Sequence, residues 1–243
     1  MYKFPLEMSA TIYLLPTVLH DDEEALQVIP AYVLDAVKSC QAFYAENEKT
    51  ARRYFKKLWK EMVIDDYEWH TIHKAENEVS QEFIRDLKNN KTIGIISEAG
   101  CPGIADPGQI LINIAQQHKA IVKPLVGPNS ILLALMASGM SGQSFAFHGY
   151  LPIDSLERKN KIRELEDESK KNKCTQLFIE TPYRNLPVFK EILQTCKAST
   201  RLCIAMELTG KNESVITKTI EAWKHDKEPL LHKIPATFLL YAD

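Results

Sequence analysis

The chain has 243 residues, of which 45% are hydrophobic and 26% charged, and its formal net charge is −2 at pH 7. This is the composition of an ordinary soluble globular protein, and the near-neutral charge argues against a protein that coats nucleic acid over its whole surface. The five cysteines are scattered and form no CxxC pair, a pattern typical of reduced thiols and not of a disulfide framework or zinc site. No segment approaches the roughly 18 consecutive apolar residues of a membrane span, and residues 1–5 lack a signal peptide's apolar run. We therefore expect a cytoplasmic protein with no membrane partner.

In the first half of the chain, short apolar and β-branched runs alternate with helical patterns. The predicted strands are 10–15, 42–45, 69–72, 92–96 and 120–122. The helical patterns are a stretch behind the acids at 21–24, then 31–39, a basic helix through 52–60, 75–88 and 110–117. Strands that alternate with helices of this length imply βαβ crossovers and a largely parallel sheet.

A boundary is predicted at Pro124–Pro128, which divides the chain into an N-terminal α/β domain of residues 1–123 and a C-terminal α/β domain of residues 124–243. The strands predicted beyond it are 145–150, 175–179, 201–206 and 236–241. The helices predicted beyond it are 131–137, 156–171, 186–196 and 219–224. The pattern shows no internal repeat and no flexible linker.

The loop Ser97–Gly108 follows the strand at 92–96 and intersperses glycine with proline, in the sequence SEAGCPGIADPG. Glycine permits close approach of the backbone to a ligand, and proline stiffens the curve. Ligands bind at the carboxyl ends of strands in open α/β sheets. The loop is therefore a ligand loop or a rigid strand-to-helix connection, and composition alone weighs the two equally. Its spacing matches neither a Walker A loop nor GxGxxG, so a nucleotide phosphate is not the indicated ligand.

Each of several other residue patterns allows two interpretations, one as an ordinary structural feature and one as part of a binding or catalytic site. The helix that opens at Gly127–Ser130 could bind an anion at its N-terminus, although an ordinary N-cap is favoured. Acidic residues that follow predicted strands could converge over one cleft, but each alone is more simply a solvated carboxylate. These acids are Glu46, Glu48, Glu98, Asp106, Glu180 and Glu207. The basic cluster of Arg52, Arg53, Lys56 and Lys57 could contact phosphates, while a solvated helix face is favoured.

The histidines and Cys101 do not indicate a metal or a nucleophile. His70 and His73 stand three apart without an evident third ligand, so no metal site is predicted. Cys101 has no histidine near it in the sequence and is interpreted as lining a pocket.

Taken in chain order, these pieces resemble one family. The motifs that carry the resemblance are Leu15–Thr17, Ala45–Asn47, Ser97–Pro102, Ala105–Gly108, Pro124–Pro128, Ala137–Gly139, Gly149–Pro152, Glu180–Arg184 and Glu207–Thr209. Together they are similar to the tetrapyrrole-methylase superfamily and, within it, to the branch of ribosomal RNA small subunit methyltransferase I. The match is collinear over nearly the whole chain, and its most specific segments are the loop 97–108 together with Gly127–Ser130.

The resemblance implies an α/β protein of two consecutive domains of the tetrapyrrole-methylase type, with the cofactor cleft between them. It implies a homodimer that binds S-adenosylmethionine and no metal. The cofactor-binding positions carried over from the family are Pro16, Gly100, Cys101, Pro102, Ile104, Ser130, Ile131, Glu180, Leu208, Pro235 and Ala236. The loop Pro16–Leu19 would face the methyl acceptor, and Glu46 matches the family's acidic position after the second strand, which makes it the candidate catalytic residue.

The sequence departs from the branch at three places. A glycine-containing turn after the first strand is replaced by residues 18–22, VLHDD, and an Asp followed by Thr-Arg-His is replaced after Glu46 by residues 47–49, NEK. The match also lacks the branch's small C-terminal helical extension. The altered loops lie on the acceptor side and leave the acceptor open, whereas the cofactor side is kept. The resemblance implies a methyltransferase acting on RNA, at the ribose 2′-hydroxyl of ribosomal RNA. A methylase of a small tetrapyrrole-like metabolite and a non-catalytic module that binds S-adenosylmethionine remain alternatives.

Overall fold

A computed structural model describes residues 9–22, 24–72 and 79–243. The chain divides into two compact units, an N-terminal unit that ends at Pro128 and a C-terminal unit that begins at Asn129. Within the described ranges, no helix is both long and apolar enough to cross a membrane.

The N-terminal unit contains a sheet of five parallel strands in the order β3-β2-β4-β1-β5. The strands are β1 (Thr11–Leu15), β2 (Ala42–Ala45), β3 (Glu68–Thr71), β4 (Thr92–Ile96) and β5 (Ile121–Pro124). The helices are α1 (Tyr32–Ser39), α2 (Glu48–Leu58), α3 (Ser80–Lys88) and α4 (Gln109–Gln117), with short 3-10 helices at Ala25–Val28 and Ile64–Asp66. Every parallel pair runs through a crossover, so the carboxyl ends of all five strands meet at one edge.

Alternation along the strands sends side chains to two separate cores. Phe43 and Ala45 of β2 pack with residues of α1 and α2 on one face. Ala42 and Tyr44 of the same strand pack with residues of α3 and α4 on the other face. Both faces are therefore covered, as the near-continuous burial of β2 and β4 requires.

The C-terminal unit contains a mixed sheet in the order β6-β7-β10-β8-β9. Its strands are β6 (Phe145–Tyr150), β7 (Thr175–Ile179), β8 (Arg201–Met206), β9 (Ser214–Thr219) and β10 (Ala236–Tyr241). Its helices are α5 (Ser130–Ser138), α6 (Ser155–Asn172), α7 (Asn185–Thr195) and α8 (Ile220–Lys224). Only β6 and β7 pair in parallel, and β10 lies at the centre, antiparallel to both of its neighbours.

Most of the predicted elements are confirmed, and the α/β fold class with them. The predictions at 42–45, 92–96, 145–150, 175–179, 201–206 and 236–241 match the observed strands residue for residue. The start of the helix predicted at 75–88 includes residues outside the described ranges, and its described part forms α3. The sequence prediction missed β9, which lies at the sheet edge with every residue half-buried. Because neither face of β9 is fully covered, its sequence SVITKT lacks a clean apolar–polar alternation, although four of its six residues are β-branched.

Candidate functional site

The glycine–proline loop lies at the carboxyl edge of the parallel sheet, against the loop that follows β1. The backbone N–H of Thr17 donates a hydrogen bond to the carbonyl of Gly100 at 2.8 Å. The Thr17 hydroxyl lies 3.4 Å from that carbonyl and 3.4 Å from the carbonyl of Ser97. The Tyr54 hydroxyl of α2 donates to the Pro16 carbonyl at 2.9 Å. Hydrogen bonds of Thr17 thus hold the loop after β1 against the loop after β4. The Tyr54 hydroxyl of α2 fixes the position of Pro16, where the first of these loops begins.

Gly100 and Gly127 occupy positions that a larger residue cannot take unchanged. Gly100 has a φ of +76°, and a Cβ there would lie 3.3 Å from Leu19 and 3.4 Å from the Pro128 carbonyl. At Gly127 a Cβ would lie 2.1 Å from the Cβ of Pro16. The positive φ and the nearby Leu19 and Pro128 favour glycine at the first position, and close packing of two loops explains the second.

The remaining predicted residues of the loop differ in exposure. Pro102 is buried, Ile104 is about half exposed, and the Cys101 thiol lies 3.5 Å from the carbonyl of Pro128. Ala105 adopts a φ of +64°, which is uncommon for a residue other than glycine and stores local strain. Ile104 is therefore the large apolar side chain that this loop exposes.

Three carboxylates meet at this edge, as the strand-end pattern suggested for acids in general. The Glu46 Oε2 atom, just beyond β2, accepts a hydrogen bond from the backbone N–H of Glu98 at 2.9 Å. The Thr50 hydroxyl donates to Glu98 at 3.2 Å. Burial raises the pKa of Asp106 to about 6, and the charges of Glu46 and Glu98 push in the same direction while a hydrogen bond with Ser97 opposes them. Asp106 is the carboxyl here that can hold a proton close to neutral pH, and the resemblance gave it no role.

The basic cluster of α2 divides into separate contacts. Arg52 pairs with Glu48 at 2.8 Å, and Lys56 donates to the carbonyls of Lys60 and Met62. Lys57 pairs with Asp21. These three cations make contacts within the protein, which favours the structural interpretation of the cluster over phosphate binding.

A second group of predicted residues meets at one edge of the C-terminal sheet. Glu180 follows β7, Leu208 follows β8, and Pro235–Ala236 lead into β10. Thr237 pairs with Ile179, and Ala236 pairs with Met206, so the antiparallel register brings the start of β10 beside both strand ends. The backbone N–H of Glu207 also donates to the Pro235 carbonyl at 3.2 Å. Leu208 is buried between two left-handed residues, Glu207 at φ +47° and Thr209 at φ +70°. Strain of this kind is concentrated at functional sites.

Glu180 is the buried charge of this group. Its side chain has no exposed area, and one carboxylate oxygen lies 3.2 Å from the Arg184 guanidinium. Among the described residues, neither oxygen has a partner of full hydrogen-bond geometry. Burial raises the pKa of Glu180, whereas the charge of Arg184 and looser contacts with the backbone N–H groups of Thr181 and Leu151 act in the opposite direction. A donor from a ligand would satisfy this carboxylate.

Ser130 and Ile131 form the first turn of α5, which packs against β8, β9 and β10. The Asn129 side chain caps this helix by accepting hydrogen bonds from the N–H groups of Ile131 and Leu132, each at 3.1 Å. The observed contact is therefore the ordinary N-cap that the sequence favoured.

His70 belongs to an ion-pair network around Asp86. Lys91 Nζ lies 2.6 Å from Glu68 and 2.8 Å from Asp86, while the His70 ring stacks on Tyr44. Burial acts against the charge of Lys91, but its bonds to Asp86 and Glu68 raise its pKa overall. Glu68, His70 and Asp86 are close enough to share a metal ion, yet the Lys91 ammonium already pairs with both carboxylates. His73 lies outside the described residues.

Sequence reasoning from residue types missed Thr17 and Tyr54, which hold the loops of this edge together. Thr17 lies in the Leu15–Thr17 motif, which does not indicate that its side chain ties two loops together, whereas a signal existed for Tyr54. It lies on the apolar stripe of an otherwise basic helix, and a buried tyrosine hydroxyl needs an acceptor.

No family model matches the chain. Among curated proteins, it is 32% identical over 212 residues to ribosomal RNA small subunit methyltransferase I of Bacillus subtilis, which covers 86% of this chain and 67% of that protein. It is 29% identical over 204 residues to the enzyme of the same name from Vibrio cholerae, with 84% and 67% covered.

Among solved structures, the chain is similar to the methyltransferase CobJ, with a TM-score of 0.61 at 14% identity over 96% of this chain and 94% of that one. It is also similar to uroporphyrin-III C-methyl transferase of Thermus thermophilus complexed with S-adenyl homocysteine. There the TM-score is 0.54 at 15% identity, over 96% of this chain and 97% of that one. At these identities, the likeness to solved structures shows the fold alone.

Proposed function

Because the chain belongs to the family of ribosomal RNA small subunit methyltransferase I, we propose that it transfers the methyl group of S-adenosylmethionine to ribosomal RNA, at a ribose 2′-hydroxyl. The observation that carries this proposal is the convergence of the loop after β1, Glu46 and the loop 97–108 at one edge of the parallel sheet. This is where an open α/β sheet binds its ligand.

The residues at the two sheet edges fit the cofactor. In the N-terminal unit, Gly100 lies in the loop at the carboxyl edge of the parallel sheet, and its φ of +76° and its closeness to Leu19 and the Pro128 carbonyl favour glycine there. In the C-terminal unit, the incompletely satisfied carboxylate of Glu180 suits a cationic or N–H donor, which S-adenosylmethionine carries in its amino and adenine groups. We propose that these two residues bind the cofactor together with the positions that the resemblance added. These are Pro16, Cys101, Pro102, Ile104, Ser130, Ile131, Leu208, Pro235 and Ala236.

When bound, S-adenosylmethionine supplies a methyl group on a sulfonium centre. The protein's part in such a displacement is mainly positioning, together with removal of the proton from the acceptor hydroxyl. Glu46 is the group that we propose for this proton, because its backbone and carboxylate are fixed by Ile96 and Glu98. We further propose a homodimer that acts in the cytoplasm.

The test is a transfer assay with tritiated S-adenosylmethionine, in which the acceptors are ribosomal subunits, and total RNA, from a strain that lacks this protein. Label in ribosomal RNA at a ribose hydroxyl is expected. Label found only in small molecules would indicate that the acceptor is a tetrapyrrole-like metabolite and not RNA. Binding of the cofactor without methyl transfer to RNA or to small molecules would indicate a non-catalytic module. A protein that does not bind S-adenosylmethionine at all would end the proposal.

A further inference from the structure

A cavity of about 250 Å³ lies beside the loop 97–108 in the N-terminal unit. Its walls come from four segments: the loop after β1 at 17–22, the 3-10 helix at Ala25–Val28, the α2 helix, and residues 97–99. Two of these segments are tied together by the hydrogen bonds between Thr17 and the carbonyls of Ser97 and Gly100. The cavity therefore adjoins the same sheet edge as the loop proposed to bind the cofactor.

The size and lining of the cavity suit a nucleoside. Pockets for drug-sized ligands span about 300–1,000 Å³, so this smaller space suits one base with its ribose and not the whole cofactor. Apolar walls from Val18, Leu26 and Tyr54 offer surfaces for the flat faces of a base. Thr50 and Glu98 add a hydroxyl and a carboxylate for its polar edge.

The charged groups at the cavity differ in what they already bind. Asp21 and Lys57 neutralise each other across an ion pair of 2.5 Å, and the pKa of Asp21 is lowered, chiefly by its hydrogen bond with Lys57. Arg53 also lines the cavity and is exposed, and within the described ranges its guanidinium has no hydrogen bond or ion pair. Its positive charge lowers the pKa of Asp21 only through a longer-range Coulomb interaction. Of the two α2 cations that line the cavity, Lys57 is therefore paired and Arg53 remains available to an incoming anion.

We propose that this cavity is the acceptor site, which takes one nucleotide of single-stranded or extruded RNA. The base and ribose lie against Val18 and Tyr54, and Arg53 binds the adjoining phosphate. This inference rests on the proposed function and adds to it the location of the acceptor. It also gives a role to the 18–22 loop, in which the chain departs from the family pattern, because that loop builds one wall. A planar guanidinium matches phosphate geometry, and an unstacked nucleotide exposes its ribose to chemistry that a helix would hinder.

The experiment compares three variants of the full chain by calorimetry with S-adenosylmethionine, by binding of ribosomal RNA at several salt concentrations, and by transfer kinetics. Val18→Trp fills the cavity, Arg53→Ala removes the phosphate contact, and Lys60→Ala makes the same charge change outside the cavity lining. Circular dichroism checks that each variant is folded.

Val18→Trp is expected to lose transfer while it keeps its affinity for S-adenosylmethionine. Arg53→Ala is expected to raise the KM for RNA about tenfold and to lower the salt slope of RNA binding by about one, as loss of one phosphate contact should. Lys60→Ala should match the wild type in all three measurements.

Unchanged RNA binding and transfer in Arg53→Ala would overturn the phosphate role even if Val18→Trp failed to fold. Full activity in both cavity variants, with an active wild type, would overturn the acceptor site alone. A wild type that neither binds nor methylates RNA would instead overturn the proposed function, and the inference with it.

Discussion

All five strands of the N-terminal sheet are parallel, whereas in the C-terminal sheet only β6 and β7 pair in this way. The parallel sheet collects the segments that follow its strands at one edge, and these include the loops at 16–22 and 97–108. The mixed sheet collects the segments after β7 and β8 together with the segment before β10, because β10 runs in the opposite direction. A search for ligand-binding residues only after strands would find the loops of the first unit. It would overlook Pro235 and Ala236, the positions proposed in the second unit.

The largest expected effect concerns the packing of loops at the carboxyl edge of the parallel sheet. Gly127→Ala is expected to lower the free energy of unfolding of the N-terminal unit by about 3 kcal/mol. A Cβ 2.1 Å from Pro16 cannot be accommodated without moving the backbone of one loop. Hydrogen exchange, followed separately in peptides of the two units, measures the loss and shows where it falls.

Gly142→Ala is the matched control, because a Cβ at that position meets no atom within 4 Å. It should leave exchange unchanged. Equal effects of the two substitutions would mean that the contact between Gly127 and Pro16 does not hold the first edge together.

The second prediction concerns the ligand surface of the same edge. Gly100→Val should weaken binding of S-adenosylmethionine at least about a hundredfold, since a β-branched side chain would strain a left-handed position and push the loop away from Leu19 and the Pro128 carbonyl. Calorimetry measures the affinity. Gly139→Val imposes similar backbone strain at φ +68° with no neighbour within 4 Å, so it should lower stability and leave the affinity intact. Unchanged affinity in Gly100→Val would count heavily against a cofactor loop at 97–108.

These tests also separate what the sequence could predict from what it could not. The strand at 92–96 and the loop after it were predictable because a buried parallel strand is a continuous apolar run that ends abruptly in glycine and proline. The closeness of Thr17 to Gly100 was not predictable from spacing, since it depends on β1 and β4 being neighbours in the sheet although two other strands, β2 and β3, lie between them in the chain. In the C-terminal unit, the resemblance supplied Leu208 and Ala236, whereas residue types alone would have left them as core. The roles of all these residues stay predictions until a ligand is measured.

The third prediction moves to the mixed sheet. Glu180→Gln keeps the side-chain volume and removes the buried charge, so the affinity for S-adenosylmethionine should fall about tenfold if the carboxylate receives a charged donor, as such hydrogen bonds contribute about 1.5–3 kcal/mol. The comparison variant is Glu191→Gln, which breaks the ion pair with buried Arg158. That variant should lose stability without losing affinity, as measured by urea unfolding and calorimetry. If both variants bound the cofactor like the wild type, Glu180 would be a structural residue and the C-terminal edge would lose its proposed donor partner.

The smallest expected effect concerns Asp106, one of the three carboxylates at the carboxyl edge of the parallel sheet. Its folded pKa of about 6 exceeds the value of 3.8 expected for an unhindered carboxyl, so the folded state binds more protons than the unfolded state between these pH values. The wild type should therefore lose stability as the pH rises from about 4 to about 6, and Asp106→Asn should remove that loss. At pH 7.5 the variant is expected to be more stable by about 1–2 kcal/mol, and below pH 4 it should match the wild type. Urea unfolding at a series of pH values measures both. A variant that is less stable than the wild type at pH 7.5 would show that the folded state stabilises the ionised carboxylate of Asp106. The repulsion inferred among the three acids of this sheet edge would then be wrong.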